Sequence, residues 1–316
     1  MAATDLEEGV ARFVREVCAG FAARKKPGPW VASDVRAICE EVRTPWRQGG
    51  PAMHETRDMM VPTQQGEVRI RLHRPGAAES LPALIYLHGG GFTLFSLDTH
   101  DRLMRELAAR SGFAVVGVDY ALAPEAKFPA AQQQIVAVIR WLGQHGATLG
   151  IDPQRIASGG DSAGGNLAFT SALVLREAGE GDLVKGLLSI YGGFGGTISD
   201  EIEARYGGAG YMISRDESRF YWNNYLSSPE EAKNPLVAPI LAELAGLPPC
   251  FLVIAQCDIL AEQNETMAER LAEAGVVVES KLYRGASHSF IEAMSVSALA
   301  GEAIDDSAAW LKRLFA

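Results

Sequence analysis

The sequence predicts an α/β protein whose mostly parallel sheet is covered by helices on both faces. Short runs of continuous apolar residues recur along the chain, as is typical of strands that are buried on both faces. Segments with helical periodicity separate most of these runs, which is the pattern of a parallel sheet with crossover helices. The 316 residues are enough for one large domain of this kind or for two average ones.

Two amphipathic helices are predicted ahead of the first strand. Thr4 and Glu7 form a capping box before apolar residues at helical spacing, and residues 28–29, Gly-Pro, end that helix. A second helix is predicted from Ser33. Because both helices precede the sheet, they are either an arm that packs against it or part of a lid over a functional site.

The strands are predicted from residue 57 onward. Residues 57–61 and 67–73 alternate in polarity around a turn at Gly66, so we predict an antiparallel pair. Six apolar runs predict further strands, at 83–87, 114–118, 155–159, 186–190, 250–255 and 276–282. Helices are predicted at 99–111, 129–147, 163–178 and 262–274, and another closes the chain. Functional sites in such sheets lie beyond the carboxyl ends of the strands.

A long interval separates the strand that ends near Gly193 from the strand that starts at Cys250. It is much longer than a crossover requires, and a capping box from Ser214 to Glu217 predicts a helix within it. The aromatic residues that follow this box are Phe220, Tyr221, Trp222 and Tyr225. They are either core residues or substrate contacts, and an insertion at this place is a natural second half of a lid.

The segment from Gly160 to Gly165 contains the pattern Gly-x-Ser-x-Gly between a predicted strand and a predicted helix. A serine in that place lies on a tight, strained turn, and glycines flank it because larger side chains would clash. The turn exposes the hydroxyl of Ser162 at a helix N-terminus, where developing negative charge is favoured.

Two residues that could activate this serine follow later strands. Asp258 comes after the seventh predicted strand and His288 after the eighth, in a segment rich in glycine and serine. The order Ser162, Asp258, His288 is that of the α/β-hydrolase triad. A histidine can take the serine proton near neutral pH, and an aspartate fixes the tautomer of the imidazole.

A glycine-rich segment, His88-Gly89-Gly90-Gly91, follows the third predicted strand. Its glycines leave backbone N–H groups open to a substrate oxygen. Together with the N–H of Ala163 they are expected to form an oxyanion hole, in which each donor contributes about 3–4 kcal/mol of transition-state stabilisation. The alternative is an ordinary glycine turn.

Three motifs together resemble the bacterial hormone-sensitive lipase family of esterases. They are the glycine-rich segment at 88–91, the residues Asp-Tyr-Ala-Leu-Ala-Pro-Glu at 119–125 with Phe-Pro-Ala at 128–130, and the serine motif at 160–165. The likeness extends from about residue 50 to the C-terminus. It implies an α/β-hydrolase fold, with an eight-stranded mostly parallel sheet and a helical cap. On this basis residues 1–50 are cap helices, 196–235 are a cap insertion, and 51–195 and 236–316 are the two parts of the core.

The resemblance also implies a function and a set of residue roles. It implies a serine carboxylesterase that hydrolyses short-acyl esters through an acyl-enzyme, without a cofactor or a metal. Carried over by position, the roles are Ser162 as nucleophile, Asp258 as acid and His288 as base, with Gly90, Gly91 and Ala163 as oxyanion donors. Side chains near the two lid segments are candidates for the substrate pocket: Phe92, Phe95, Tyr191, Phe194, Met212 and Tyr221.

Two positions depart from the family pattern. The family has Asp-Pro-Leu-x-Asp-Glu at the acid, whereas residues 258–262 read Asp-Ile-Leu-Ala-Glu. Glu262 is therefore a minor rival of Asp258. Ala121 stands where an arginine usually follows Asp-Tyr, and we expect this change to affect local packing or subunit contacts rather than catalysis.

Charge and composition limit the partners. The net charge of −10 argues against a nucleic-acid or anionic-membrane surface. The acidic N-terminus is not a secretory signal, and an apolar window long enough to span a membrane is not seen. The four cysteines include no Cys-x-x-Cys pair, so we expect a reduced cytoplasmic protein that binds a small ester, as a monomer or a homodimer.

Two other functions are compatible with these motifs. One is a lipase or amidase with the same triad, although a lipase should carry a broad apolar lid. The other is a small-molecule receptor on an inactive hydrolase fold, although such a receptor is expected to lose the serine or the histidine.

Overall fold

The computed structural model describes residues 5–25, 27–64 and 66–316. Within these ranges one eight-stranded sheet is present. Its strands are β1 Glu55–Thr63, β2 Gly66–Arg74, β3 Leu81–Leu87, β4 Ala114–Val118, β5 Ile151–Asp161, β6 Leu187–Ile190, β7 Cys250–Cys257 and β8 Val278–Ser287. Their order is β1-β2-β4-β3-β5-β6-β7-β8. Strand β2 pairs antiparallel with β1 and β4, and the remaining pairs are parallel, which confirms the predicted class.

Helices cover both faces of this sheet. They are α1 Glu8–Arg24, α2 Ala32–Arg43, α3 Asp101–Ser111, α4 Ala130–His145, α5 Ala163–Glu177, α6 Asp200–Tyr206, α7 Arg215–Tyr225, α8 Ala261–Glu273 and α9 Ala298–Leu314. Because successive side chains of a strand point to opposite faces, Ile85 belongs to a core cluster that includes residues of α4, α5 and α8, whereas Leu84 belongs to a second cluster that includes residues of α1, α3 and α9. None of the described helices is long and apolar enough to cross a membrane.

The helix starts differ in detail from the predictions. Thr4, the predicted first residue of a capping box, lies outside the described residues. Glu7 is the N-cap of α1, and its Oε2 accepts hydrogen bonds from Val10 N at 2.9 Å and from the Ser297 hydroxyl at 2.7 Å. Glu7 therefore joins the start of α1 to the start of α9. The predicted capping box of α7, between Ser214 and Glu217, is confirmed.

The last strand is longer than predicted. Its glycine and serine residues predicted a loop after residue 282, but β8 continues to Ser287. A register shift against β7 between Ala255 and Cys257 accommodates Gly285, whose φ is +81°. The shift lets the strand continue, so that Tyr283 and Ser287 are buried. His288 therefore follows a strand directly, and the pairing of β7 with β8 holds its backbone.

Candidate active site

Ser162 lies on a strained turn between β5 and α5. Its φ of 53° and ψ of −116° place it in a region that L residues rarely adopt. A Cβ atom at Gly160 or at Gly164 would collide with the carbonyl oxygen of Leu87, and one at Gly165 would lie 2.7 Å from Ser189 Oγ. The glycines of the motif are thus required by close approach of β3 and β6 to the turn, as the sequence predicted.

Ser162, His288 and Asp258 form a continuous hydrogen-bonded path. His288 Nε2 lies 2.9 Å from Ser162 Oγ, and His288 Nδ1 lies 2.7 Å from Asp258 Oδ2. Because a carboxylate only accepts, Nδ1 carries the proton and donates it to Asp258, and the neutral ring leaves Nε2 free to accept from the serine hydroxyl. The other oxygen of Asp258 accepts from Leu260 N at 3.0 Å, which fixes the carboxylate.

Asp258 also sets the proton affinity of His288. Burial by itself would lower the pKa of His288, but the negative charge of Asp258 and its hydrogen bond outweigh burial and raise that pKa above the ordinary value of 6.5. The imidazolium that would form on proton uptake from Ser162 is therefore stabilised in place.

Gly90 and Gly91, expected oxyanion donors, line a cavity together with Ser162, and Ala163 is the next residue in the chain. Gly90 and Gly91 have φ values of +110° and +58°, and a Cβ on Gly91 would enter the ring of Tyr221. Thr93 N and Leu94 N both donate to the carbonyl of Gly90, at 3.0 and 2.8 Å, and close the turn. Among the described residues, no backbone acceptor is hydrogen-bonded to the N–H of Gly90, Gly91 or Ala163.

A buried carboxylate that sequence analysis overlooked supports this arrangement. Asp161 Oδ1 accepts from Gly89 N at 2.9 Å and from the Tyr86 hydroxyl at 2.7 Å, and His100 Nε2 lies 3.4 Å away. Burial would raise the pKa of Asp161, but the charge of His100 and the Tyr86 hydrogen bond outweigh burial and hold that pKa at about 2. The sequence could have indicated this role of Asp161, because Asp161 directly precedes Ser162 in the motif.

Two cavities reach Ser162. The larger has a volume of about 630 Å³ and contains His288, Phe95, Met212 and Tyr221 in its wall, together with residues of α1, α2 and α7. The smaller, of about 50 Å³, contains Phe92 in its wall. Four of the six candidate pocket residues therefore line a cavity at the serine.

The other two candidates lie in the core instead. Tyr191 is fully buried with its ring centroid 4.9 Å from that of His288, so it packs beneath the imidazole. Phe194 packs against Phe169 at 5.2 Å between ring centroids. Both follow β6, and the chain turns them toward the protein interior rather than toward the cavities.

Glu262 and Ala121, the two departures from the family pattern, both lie away from the hydrogen bonds of Ser162 and His288. The exposed carboxylate of Glu262 accepts from the Ser199 hydroxyl at 3.0 Å, whereas Asp258 is the carboxylate bonded to His288. Ala121 lies in a segment whose end is held by α2, because Arg36 forms an ion pair with Glu125 at 2.6 Å. The effect of Ala121 on packing stays a prediction. Within the described residues no cluster of His, Cys, Asp and Glu is suited to a metal ion.

Comparison with known proteins defines the class. Residues 84–292 match the model of a family with the α/β-hydrolase fold. An acetyl esterase of Salmonella choleraesuis is 36% identical over 267 residues, which cover 83% of this chain and 81% of that protein. The chain therefore belongs to the α/β-hydrolase family.

Esterases of known structure match nearly the whole chain. A hyperthermophilic esterase of the archaeon Pyrobaculum calidifontis is 34% identical, with a TM-score of 0.92, and the match covers 98% of this chain and 99% of that one. A thermophilic carboxylesterase cloned from a metagenomic library is also 34% identical, with a TM-score of 0.87 and coverage of 91% and 98%. The resemblance to hormone-sensitive-lipase-type esterases is thereby confirmed.

Proposed function

We propose that Ser162, His288 and Asp258 carry out ester hydrolysis in this chain, which is a carboxylesterase. The observation that carries the proposal is the path of two hydrogen bonds from Asp258 through His288 to Ser162, at 2.7 and 2.9 Å. A serine hydroxyl is a weak nucleophile until a base takes its proton, and this path provides the base together with the group that orients it.

The first half of the reaction transfers the acyl group to the enzyme. As Ser162 Oγ attacks the ester carbonyl carbon, an Oγ–C bond forms and the hydroxyl proton passes to His288 Nε2. The carbonyl oxygen becomes negative and rests on the N–H groups of Gly90, Gly91 and Ala163. The bond to the alcohol oxygen then breaks, and that oxygen takes the proton from Nε2. The alcohol leaves and an acyl-serine remains.

The second half repeats the same steps with water. His288 Nε2 takes a proton from a water molecule as the water oxygen attacks the acyl carbon, and the N–H groups again hold the negative oxygen. The bond to Ser162 Oγ breaks, and Oγ recovers its proton from Nε2. The products are a carboxylic acid and a free serine, so protons and electrons balance without a cofactor.

The most direct test is the removal of the nucleophile. Ser162→Ala is expected to abolish hydrolysis of para-nitrophenyl acetate in a folded protein, because the hydroxyl bonded to His288 is removed. An unchanged rate in that variant would contradict the assigned nucleophile. Binding of esters by the unaltered protein without turnover would favour a receptor, and a rate maximum at long acyl chains would favour a lipase.

We further propose that the protein is a cytoplasmic, capped enzyme. In this view α1, α2 and the 196–235 segment form the cap, since α1, α2 and α7 contribute to the wall of the larger cavity. The four free cysteines fit a reducing compartment, and the net charge of −10 does not fit a nucleic-acid partner.

A homodimer across β8 is a further part of this proposal. Strand β8 is the last in the sheet order and its outer edge pairs with no described strand, which leaves backbone groups available to a second copy. Leu282 on this strand is exposed. Sedimentation analysis of the protein and of Leu282→Lys tests the idea: a dimer is expected for the first and a shift toward monomer for the second.

A further inference from the structure

Arg36, on α2, donates hydrogen bonds to two backbone carbonyl groups outside its own helix. Its Nε donates to the oxygen of Thr93 at 2.6 Å, and its Nη2 donates to the oxygen of Ala123. Thr93 and Ala123 are both fully buried. Among the residues that the structure describes, no other group donates to either oxygen. Because a buried carbonyl without a partner is costly, both carbonyls depend on Arg36.

Glu125 fixes the direction of the Arg36 guanidinium. Nη1 and Nη2 of Arg36 donate to the two carboxylate oxygens of Glu125, at 2.9 and 2.6 Å. A bidentate pair of this kind holds the planar guanidinium in one orientation. The side chain of Glu125 is 62% exposed, so the pair itself adds little to stability. Its effect is to direct the remaining donors of Arg36 at the two carbonyls.

Thr93 transmits this constraint to the proposed oxyanion donors. Its N–H donates to the oxygen of Gly90 at 3.0 Å, and its hydroxyl donates to the oxygen of Gly91 at 3.0 Å. The carbonyl of Gly90 and the N–H of Gly91 belong to one planar peptide unit. A hydrogen bond that holds the carbonyl therefore also fixes the direction of the Gly91 N–H.

The second carbonyl held by Arg36 belongs to a segment that supports the same turn. Ala123 N donates to the oxygen of Phe92 at 2.8 Å, and Phe92 directly follows Gly91. Arg36 thus joins two backbone segments on either side of an existing hydrogen bond. We propose that Arg36 is a positioning residue that fixes the orientation of the Gly91 N–H through Thr93. This inference rests on the proposed ester hydrolysis.

The position of Arg36 in the cap gives this contact a wider role. Arg36 is not among the described residues in the walls of the two cavities at Ser162, whereas the adjacent Val35 lines the larger one. One helix of the proposed cap therefore contacts both the space beside Ser162 and the segment that carries Gly91. A shift of α2 would change the cavity wall and the oxyanion donor together.

Arg36→Ala tests this role on the intact protein. Its kcat for para-nitrophenyl acetate is expected to fall about 10–100-fold with KM within about threefold, because a misplaced donor weakens transition-state binding more than ester binding. Rates are expressed per reactive serine, counted by complete reaction with a para-nitrophenyl alkylphosphonate. In that reaction Ser162 Oγ bonds to phosphorus, its proton passes to His288 and nitrophenolate leaves. This normalisation removes any loss of folded protein.

A trifluoromethyl ketone reports on the oxyanion donors directly. Ser162 Oγ adds to its carbonyl carbon, the serine proton passes to His288, and the carbonyl oxygen becomes a stable oxyanion. In Arg36→Ala its inhibition constant is expected to rise by about the same 10–100-fold as kcat/KM falls. The matching methyl ketone, which binds without this addition, is expected to keep its inhibition constant within about threefold. A merely structural role would not separate the two ketones.

Arg24→Ala is the matched control on the same pair of helices. Arg24 of α1 forms an exposed ion pair with Glu41 of α2 at 2.9 Å, and it donates to the oxygen of Gly20 within its own helix. Because it does not reach the glycine-rich segment, kcat and both inhibition constants are expected to stay within about twofold.

Two further variants keep the inference testable should Arg36→Ala not fold. Arg36→Lys retains the charge but not the planar fork, so it is expected to lose less than Arg36→Ala, with the same separation of kcat from KM. Glu125→Ala removes only the exposed partner that directs the guanidinium. We expect it to lower kcat about threefold to tenfold and to raise the inhibition constant of the trifluoromethyl ketone by a similar factor.

The measurements distinguish a wrong inference from a wrong function. If Arg36→Ala lowers only the number of reactive serines, or raises KM with kcat unchanged, Arg36 does not position the donor and the inference is wrong. Equal changes for the two ketones would also overturn it. If the unaltered protein does not hydrolyse para-nitrophenyl acetate, or if Ser162→Ala hydrolyses it as well as the unaltered protein, the proposed function itself is wrong.

Discussion

The carboxylate of Asp161 accepts a hydrogen bond from the backbone N–H of Gly89 at 2.9 Å. This contact joins the turn that carries Ser162 to the glycine-rich segment that carries the proposed oxyanion donors. A Cβ on Gly89 would collide with the other oxygen of the same carboxylate. Asp161 is therefore a positioning residue, because it holds the glycine-rich segment against the turn that carries Ser162.

Replacement of Asp161 should lower both stability and turnover. In Asp161→Asn an oxygen can still accept from Gly89, but the charge that compensates buried His100 is lost. We expect a loss of about 3 kcal/mol in the free energy of unfolding, and a lower kcat with a smaller change in KM. Denaturant titration and steady-state kinetics measure these effects. The matched control is Asp58→Asn, which breaks a half-exposed ion pair with Arg71. For this control we expect a loss of about 1 kcal/mol or less in the free energy of unfolding.

The Asp161–His100 pair should also shape the dependence of stability on pH. The pKa of Asp161 is depressed to about 2, so its contribution is present above the unfolded-state pKa of about 4 and is lost as the pH falls toward 2. The pKa of His100 is raised because the charge of Asp161 outweighs burial, so its contribution is present below about pH 6.5 and is lost as the pH rises through the raised value.

Unfolding free energies of the protein and of Asp161→Asn, measured from acid to alkaline pH, check this linkage. The variant is expected to lose less stability at both ends of the range. Parallel curves for the two proteins would contradict the assigned charges.

Activity should require neutral His288. Since its pKa is raised above 6.5 by Asp258, kcat/KM is expected to increase with pH and to reach half of its maximum above pH 6.5. Asp258→Asn removes both the charge and the tautomer control, so we expect a fall in kcat of about 10⁴-fold. Glu262→Gln should leave the rate and the pH profile unchanged. A larger loss for Glu262→Gln than for Asp258→Asn would reverse the choice of acid.

Gly91→Ala should impair turnover through a steric conflict. The added Cβ would enter the ring of Tyr221 at a residue whose φ is +58°, and the shift needed to relieve it would misplace a proposed oxyanion donor. We expect kcat to fall about 10²–10³-fold. The double variant with Tyr221→Ala should recover part of that loss. Gly179→Ala is the control, since φ there is +73° but nothing lies within 4 Å of the added atom.

A buried ion pair connects α2 to the segment after β8. Arg43 Nη1 lies 2.9 Å from Glu292 Oε2, and its guanidinium stands between the rings of Phe13 and Phe95, 5.0 Å from each. Arg43→Ala leaves a buried carboxylate without its partner, which should cost about 3–5 kcal/mol in the free energy of unfolding.

The double variant Arg43→Met with Glu292→Gln should regain much of that loss, because no unpaired charge stays buried. Arg12→Ala, at the exposed pair with Glu16, should change stability by less than about 0.5 kcal/mol. A double variant no more stable than Arg43→Ala would contradict this account. Denaturant titration of all three variants provides the comparison.

The sheet and the nucleophile turn were determined by the sequence alone, because both depend on local patterns. Alternating polarity located the first two strands and apolar runs located the other six, since strands buried on both faces of a sheet are mostly apolar. Gly160 and Gly164 marked the turn at Ser162, since a side chain at either position would strike β3. The triad of Ser162, Asp258 and His288 was inferred from the order of these residues in the chain and from the predicted strand that precedes each of them.

Other features depended on contacts between distant parts of the chain. The continuation of β8 to Ser287 required a register shift against β7. Tyr191 and Phe194 looked like pocket residues, yet the turns after β6 direct them into the core. The division of the space around Ser162 depends on Tyr221 of α7 lying on Gly91. Local sequence specifies backbone shape and burial, but only packing between remote segments decides which side chain faces an empty space.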